Sequence, residues 1–240
     1  MTEKTNEFRV MTSGAFTAAH LQLIPQLEQL AKKTIVTAST SVGTGEGAIP
    51  NRLKRGEVVD IVIVADNLLR QLIADGLVLS EGYTPVARSG IGMAVRAGAP
   101  KPDISSMDAL RRTLLQAQSI GYSASVSGQY LTTELLQRLG IADQVLSKCR
   151  HIGGGERVGA VVARGELEIG FQQISELLPV AGIAHITPLP PEVQKVSVFS
   201  VGVAASCPDA ELARNVIQFL ASREADKAIT GSGLEAVAGD

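Results

Sequence analysis

The stretch "RGEVVDIVIVADNLLRQLIADG", residues 55–76, decides the fold class. Val58–Asp66 is an almost continuous apolar run, which is typical of a strand in a parallel sheet that is covered on both faces. The segment after it is predicted to be a helix that starts at Asp66 as its cap and ends at Gly76, because glycine commonly terminates helices. A buried strand that leads directly into a helix predicts an α/β fold with right-handed crossovers.

The same alternation of strand and helix precedes this stretch. Phe8–Ser13 and Thr34–Ser39 are predicted to be strands with a long helix between them. The helix residues expected at apolar spacing are Leu21, Ile24, Leu27 and Leu30. A short helix that closes at Gly56 then leads into the decisive strand. The first part of the chain therefore predicts one α/β lobe.

A second lobe is predicted after residue 86. Val86–Pro100 is expected to be a strand that crosses into it, and Lys195–Ser206 is a long β run that is expected to cross back. Between them strands and helices alternate again, and Ser106 is the expected cap of the first of these helices. The predicted fold is thus α/β with two lobes, residues 1–86 with 201–240 and residues 87–200, and a cleft between the lobes.

Composition and charge exclude several classes of function. The formal net charge is −2, aromatic residues make up 3% and Trp is absent, so no nucleic-acid partner is expected. No apolar run of about 18 residues occurs, so no membrane insertion is expected. The first ten residues lack the apolar core of a secretory signal. The chain is expected to be cytoplasmic as written, or periplasmic if a signal peptide was removed.

Loops rich in Ser, Thr and Gly follow the predicted strands and open the predicted helices. They are residues 12–15, 39–47, 123–129 and 153–159. In open α/β sheets ligands bind beyond the carboxyl ends of the strands, and backbone N–H groups at helix starts favour anions. Together the loops predict a site for a small anionic ligand. For any one loop, the alternative is that Ser, Thr and Gly are ordinary helix caps.

Known catalytic and cofactor motifs do not account for this chain. A dinucleotide fingerprint is not completed by GTGEG, and neither a Walker loop, an HExxH pair nor a GxSxG elbow occurs. The three histidines lack metal-ligand spacing, so we expect neither a cofactor nor a metal. Cys149 and Cys207 are expected to be free buried thiols, with a disulfide or a catalytic thiol as the alternatives.

The segments "SGQYLTTELLQRLG" and "RVGAVVARGELEIGF", together with the order of the lobes, resemble the molybdate-binding family of type II substrate-binding proteins of ABC transporters. The resemblance spans nearly the whole chain and implies the two-lobed fold. It also implies ligand contacts by position from serine hydroxyls, backbone N–H groups and one residue at a position where the family has tyrosine. The implied contacts are Ser13, Gly14, Ala15, Ser41, Gly43, Thr44, Ser127, Arg157 and either Gln172 or Gln173.

Three departures from that family favour a different anion. Arg157 stands where the family has an apolar residue, glutamine stands where it has tyrosine, and TSGA replaces AAS in the first loop. A guanidinium pairs bidentately with a carboxylate, and glutamine both donates and accepts. An organic polycarboxylate is therefore the predicted ligand. The alternative for Arg157 is a solvated helix-start residue paired with Glu156 or Glu168.

A small branch of similar fold isomerises cis- and trans-aconitate, so the resemblance implies an aconitate isomerase as the first hypothesis. An allylic proton shift needs a base, and Glu156, Glu46 and His20 are the candidates. The second hypothesis is a solute-binding protein for a molybdate-like oxyanion or a carboxylate, whose partner would be an ABC permease if the chain is exported. A ligand-sensing module in the cytoplasm is the third.

Overall fold

Two β-sheets organise the chain in a computed structural model that describes residues 6–153 and 155–237. The described residues divide into two units. Unit 1 lies within Met1–Arg88 and Val198–Asp240, and unit 2 is Ser89–Ser197. The first five residues and Gly154 of the predicted 153–159 loop lie outside the described residues.

Unit 1 is built on a six-stranded sheet in the order β11-β4-β10-β3-β1-β2. Its strands are β1 Glu7–Thr12, β2 Thr34–Ser39, β3 Ile61–Ala65, β4 Thr84–Ser89, β10 Ser197–Val203 and β11 Glu235–Ala236. Its helices are α1 Gly14–Ala31, α2 Ile49–Lys54, α3 Asp66–Ala74, α10 Ala210–Leu220 and α11 Arg223–Gly231. Strand β1 pairs in parallel with both β2 and β3, so the carboxyl ends of these three strands lie at one edge of the sheet.

Unit 2 is built on a five-stranded sheet in the order β7-β6-β8-β5-β9. Its strands are β5 Ile91–Arg96, β6 Ile120–Ser123, β7 Cys149–Ile152, β8 Ile169–Gln173 and β9 Ile183–Pro188. Its α-helices are α4 Met107–Gln116, α5 Val126–Tyr130, α6 Leu136–Arg138, α7 Ala142–Val145, α8 Val158–Ala163 and α9 Ile174–Leu177. A π-helical turn, Leu131–Leu135, joins α5 to α6, and 3-10 turns occur at Leu146–Lys148 and Pro191–Val193.

The strand that decides the fold is confirmed. All five residues of β3 are buried, as expected for the apolar run between Val58 and Asp66. Ser106 caps α4 as predicted, and its side chain accepts a hydrogen bond from the N–H of Ala109. Within the described residues, no helix has the length and apolar character that a membrane crossing requires.

The buried face of α1 differs in part from the sequence prediction. Leu27 of α1 is buried as predicted, but Leu21 and Leu30 are 53% and 41% exposed. The buried stripe also contains Phe16 and Leu23, which were not predicted. The reason is that α1 packs against α10 and α11 as well as against the sheet, which favours the stripe carrying the bulkier Phe16.

Asp66 was expected to cap α3, and this prediction is wrong. Asp66 is the first residue of the helix, and Ala65 occupies the cap position. The Asp66 carboxylate accepts hydrogen bonds from the hydroxyls of Tyr83 and Ser200 and from Arg70 instead. It therefore ties α3 to β10 and to the loop before β4.

Close backbone approach sets the position of α8 on the sheet of unit 2. A Cβ atom on Gly170 would lie 2.6 Å from Val158 Cγ1 and 2.8 Å from Val162 Cγ2. A Cβ on Gly121 would lie 2.5 Å from Leu167 Cδ1. Only glycine lets α8 pack this closely on β6 and β8, and this packing fixes where the start of α8 lies.

Candidate functional site

The carboxyl ends of three neighbouring strands gather polar side chains at one edge of unit 2. Strands β7 and β8 both pair in parallel with β6, so Ser123, Ile152 and Gln173 end at the same edge. The loops beyond these ends carry the residues predicted to bind the ligand in this half of the chain. This edge follows the general rule for ligand sites in α/β sheets.

A line of serine hydroxyls follows β6. Ser123 Oγ lies 2.7 Å from Ser125 Oγ, which lies 3.0 Å from the Oγ of the fully buried Ser127. A Cβ on Gly128 would lie 1.8 Å from the carbonyl oxygen of Ser123, so only glycine allows α5 to turn this tightly against the end of β6. The hydroxyl line can donate to an anion from its outer end.

Arg157 occupies the N-cap position of α8 and is exposed. The alternative that it pairs with Glu156 or Glu168 is wrong. Glu156 is bound to Arg164 at 2.5 Å, and Glu168 accepts from the backbone N–H of Gln118 at 2.6 Å. Among the described residues, Arg157 forms no ion pair within 4.0 Å. Its guanidinium is therefore available to an external carboxylate.

The two glutamines at the end of β8 have different surroundings. Gln173 is bound within the protein. With the side-chain amide assigned the orientation that satisfies both of its ends, the nitrogen donates to the carbonyl oxygens of Ser89 and Gly90 at 3.1 and 3.0 Å, and the oxygen accepts from the Ser197 hydroxyl at 3.2 Å. Gln173 thus holds together the points where the chain enters and leaves unit 2.

Gln172 faces the opposite side of the sheet from Gln173, as alternate strand residues do. It is 4% exposed, and its Oε1 has no hydrogen-bond partner among the described residues. Leaving a buried acceptor unpaired costs roughly 1–3 kcal/mol. Of the two glutamines, Gln172 is therefore the one that a ligand donor could satisfy.

Glu176, which sequence reasoning missed, lies beside these groups. It is on α9, one helical turn after Gln172, and it is partly buried. Burial raises the pKa of its carboxyl to about 7, although the nearby positive charge of Arg157 and the Gln172 side chain act in the opposite direction. The neighbouring Ser175 hydroxyl is 1% exposed and has no partner in the described part of the chain. A polar run directly after the apolar strand, QQISE, was the available signal.

The predicted contacts of unit 1 lie at the edge formed by β1, β2 and β3. Ser13 is the N-cap of α1, is 4% exposed, and has an Oγ without a partner in the described residues. Gly14 and Ala15 form the first turn of this 18-residue helix, whose N–H groups carry partial positive charge. Ser41, Gly43 and Thr44 lie in the loop between β2 and α2.

The three predicted bases lie in different environments. Glu46 is exposed in the β2–α2 loop of unit 1, and Glu156 is exposed and paired with Arg164. His20 is fully buried on α1, with Nε2 2.9 Å from Thr37 Oγ1, and burial lowers its pKa to about 4. A fully buried imidazole hydrogen-bonded to a strand side chain is the arrangement of a packing residue.

The described residues provide no set of side chains that could bind a metal ion. In residues 6–153 and 155–237, no group of three or more His, Cys, Asp and Glu side chains is arranged to hold a metal ion. Both cysteines are free and only partly buried. Burial raises the pKa of each thiol to about 11, so neither is an activated nucleophile.

Comparison with known proteins places the chain in a family. The family model for bacterial extracellular solute-binding proteins matches residues 8–235. The chain belongs to this family. As a member of the solute-binding proteins it resembles the periplasmic molybdate-binding protein of Azotobacter vinelandii, with a TM-score of 0.77 at 18% identity, covering 97% of this chain and 100% of that one. These matches confirm the predicted family and the predicted α/β fold class.

Two further proteins are similar to this chain. A tungstate-binding protein from Desulfovibrio alaskensis matches with a TM-score of 0.66 at 15% identity, covering 97% of this chain and 99% of that one. At such identity the likeness concerns the fold alone. An aconitate isomerase from a Pseudomonas species is 42% identical over 229 residues, which are 95% of this chain and 87% of that protein. The chain is thus far more similar in sequence to this aconitate isomerase than to the molybdate-binding or the tungstate-binding protein.

Proposed function

We propose that the protein is an isomerase that interconverts cis- and trans-aconitate. The observation that carries the proposal is the 42% identity to an aconitate isomerase across 95% of the chain. The geometry of unit 2 supports it. An arginine that makes no ion pair with the described residues lies near a carboxyl group whose pKa is about 7, and these are the charges that the reaction requires.

Aconitate carries three carboxylates around one double bond. A planar guanidinium such as that of Arg157 can bind one of them through two parallel hydrogen bonds. The hydroxyl line that ends at Ser127 supplies further donors. The unpartnered Gln172 Oε1 can accept from a water molecule that is bound with the substrate. On unit 1, the residues proposed as anion contacts are Ser13, Gly14, Ala15, Ser41, Gly43 and Thr44.

The reaction moves one proton and one double bond. The C–H bond of the substrate's methylene carbon breaks, its electron pair spreads into a dienolate, and a C–H bond forms at the former vinylic carbon. The new double bond joins the former methylene carbon to the central carbon, so the conformation about that bond when the proton leaves sets its cis or trans geometry. Negative charge grows on the carboxylate oxygens in the transition state, and Arg157 stabilises it there.

A second function follows from the family itself. As an extracellular solute-binding protein the chain would act outside the cytoplasm and deliver a carboxylate or an oxyanion to an ABC permease. The same polar edge would then bind without reacting. The isomerase proposal has no need of a permease.

Incubation with pure trans-aconitate and, separately, with pure cis-aconitate distinguishes the two functions. Chromatographic separation of the isomers should show the same final mixture from either starting material, at a rate proportional to protein concentration. If neither isomer is converted, and the protein's melting temperature rises with molybdate, tungstate or a carboxylate, the solute-binding function replaces the isomerase.

A further inference from the structure

We propose that Glu176 is the general base that carries the proton between the two carbons of the substrate. The inference rests on the proposed isomerase function and assigns its proton-transfer residue. Glu176 was not among the candidates that the sequence suggested. It belongs to a cluster defined by Arg157, Gln172, Ser175 and Glu176, which we call the β8 cluster.

The β8 cluster has capacity for a ligand that the protein itself leaves unused. Gln172 and Ser175 are 4% and 1% exposed, and each has a buried oxygen without a partner in the described residues. Such atoms in a native structure call for an explanation. A bound polycarboxylate can accept from the Ser175 hydroxyl, and a water molecule bound with it can donate to Gln172 Oε1. The base adjoining these atoms would then lie beside the substrate.

The position of Glu176 on the chain makes its carboxyl group rigid. Strand β8 is buried along its whole length, and α9 follows it without an intervening loop. Helix α9 also packs against β5, β9 and α8. Residues Gln172 and Glu176 are therefore held by regular elements, which position a catalytic group more precisely than a loop does.

Three other acidic side chains, Glu156, Glu168 and Glu46, are less suited to the role. Glu156 is exposed and bound to Arg164, so proton uptake would first have to break an ion pair. Glu168 is exposed and accepts from the backbone of Gln118. Glu46 lies on unit 1 and is exposed. Burial raises the pKa of the Glu176 carboxyl to about 7.

A single carboxyl group can both remove and return the transferred proton. The Glu176 carboxylate takes a proton from the methylene carbon and becomes a carboxylic acid, while the electron pair of the C–H bond enters the dienolate. The same acid then gives the proton to the former vinylic carbon and returns to the carboxylate. No oxidant, reductant or co-reactant is needed. Arg157 offsets the charge that leaves Glu176 for the substrate.

The acidity of Glu176 suits this exchange. A base works best when its pKa lies near the working pH, because it must both accept and release the proton. Burial raises the pKa of Glu176, and of the groups on the elements packed against α9, the Arg157 charge and the Gln172 amide act to lower it. The balance near 7 leaves a substantial carboxylate fraction at neutral pH.

The test compares Glu176→Gln with wild type and with Glu192→Gln, a control that removes an exposed carboxylate elsewhere in unit 2. We expect Glu176→Gln to lower kcat by about 10²–10⁴-fold, the usual contribution of a general base, while Glu192→Gln stays at the wild-type rate. Calorimetry with tricarballylate, the saturated analogue that has no allylic proton, should show that Glu176→Gln still binds at least as well as wild type. In the wild type, kcat should fall on the acid side with a midpoint near pH 7.

Each result decides between the proposals. A wild type that converts neither isomer refutes the isomerase, and this inference with it. An active wild type whose Glu176→Gln variant keeps its rate refutes only the role of Glu176. A loss of rate in Glu156→Gln in place of Glu176→Gln transfers the role to Glu156. If Glu176→Gln does not fold, the wild-type pH profile decides, because a kcat that is flat from pH 5 to 8 contradicts a base of this acidity.

Discussion

Replacement of Gly170 by alanine tests how the sheet of unit 2 positions Arg157. The new Cβ would lie 2.6 Å from Val158 Cγ1 and 2.8 Å from Val162 Cγ2, whereas ordinary contact begins near 3.4 Å. Both valines are stiff β-branched side chains, so the whole of α8 must move away by about 0.6–0.8 Å. Overpacking of this kind costs about 1–3 kcal/mol, which corresponds to a fall in Tm of about 2–12 °C for a chain of this size.

The kinetic consequence follows from the place of Arg157 at the start of α8. Because the guanidinium moves with the helix, we expect KM for aconitate to rise together with the fall in Tm. Thermal denaturation and steady-state kinetics of Gly170→Ala are compared with Gly231→Ala at the end of α11, where a Cβ would meet only Gln22 Oε1 at 3.9 Å. Tm and KM of this control should stay close to those of wild type. A Gly170→Ala protein with wild-type Tm and KM would refute the argument.

Three further predictions concern single side chains. Arg157→Ala should raise KM roughly 10–150-fold, the equivalent of about 1.5–3 kcal/mol for a hydrogen-bonded charge. Its Tm should not change, because Arg157 makes no ion pair with the described residues. A KM that initial-rate measurements find unchanged would exclude Arg157 from the site. Asp66→Asn should lower the free energy of unfolding by about 1–3 kcal/mol at pH 7. Burial opposes the charge on Asp66, but bonds from Tyr83, Arg70 and Ser200 lower its pKa overall, so in urea titrations the deficit should shrink as pH falls through that pKa; a deficit independent of pH would contradict this. Burial lowers the pKa of His20 to about 4 from an ordinary 6.5. The free energy of unfolding of wild type should therefore be highest above pH 6.5 and fall by up to roughly 3 kcal/mol toward pH 4. His20→Gln should reduce that fall, and an equal dependence of the unfolding free energy on pH in both proteins would refute this role of His20.

The fold was predictable where one residue pattern dominates. The apolar run before Asp66 can be satisfied only by a strand covered on both faces, and β3 is such a strand. Ser106 precedes its helix with a standard capping side chain, and it does cap α4. In α1, by contrast, both stripes carry large apolar residues. The choice between them depends on α10 and α11, which lie far away in the sequence.

The candidate site was only partly predictable for a similar reason. Sequence position was enough to suggest Arg157 and a glutamine at the end of β8. It could not separate Gln172 from Gln173, because that depends on which face of the sheet each residue occupies and on the partners Ser89 and Ser197. Glu176 was missed because its altered acidity arises from burial, which a sequence of mixed polar and apolar residues does not reveal.

Proton NMR of the wild-type protein with trans-aconitate in deuterated buffer directly tests whether the protein isomerises aconitate. We predict that cis-aconitate accumulates and that deuterium enters the substrate, because a base that has removed the proton from one carbon can exchange it with solvent before delivering it to the other. Unchanged trans-aconitate whose signals merely broaden or shift when protein is added would contradict the claim and leave a protein that binds its ligand without converting it.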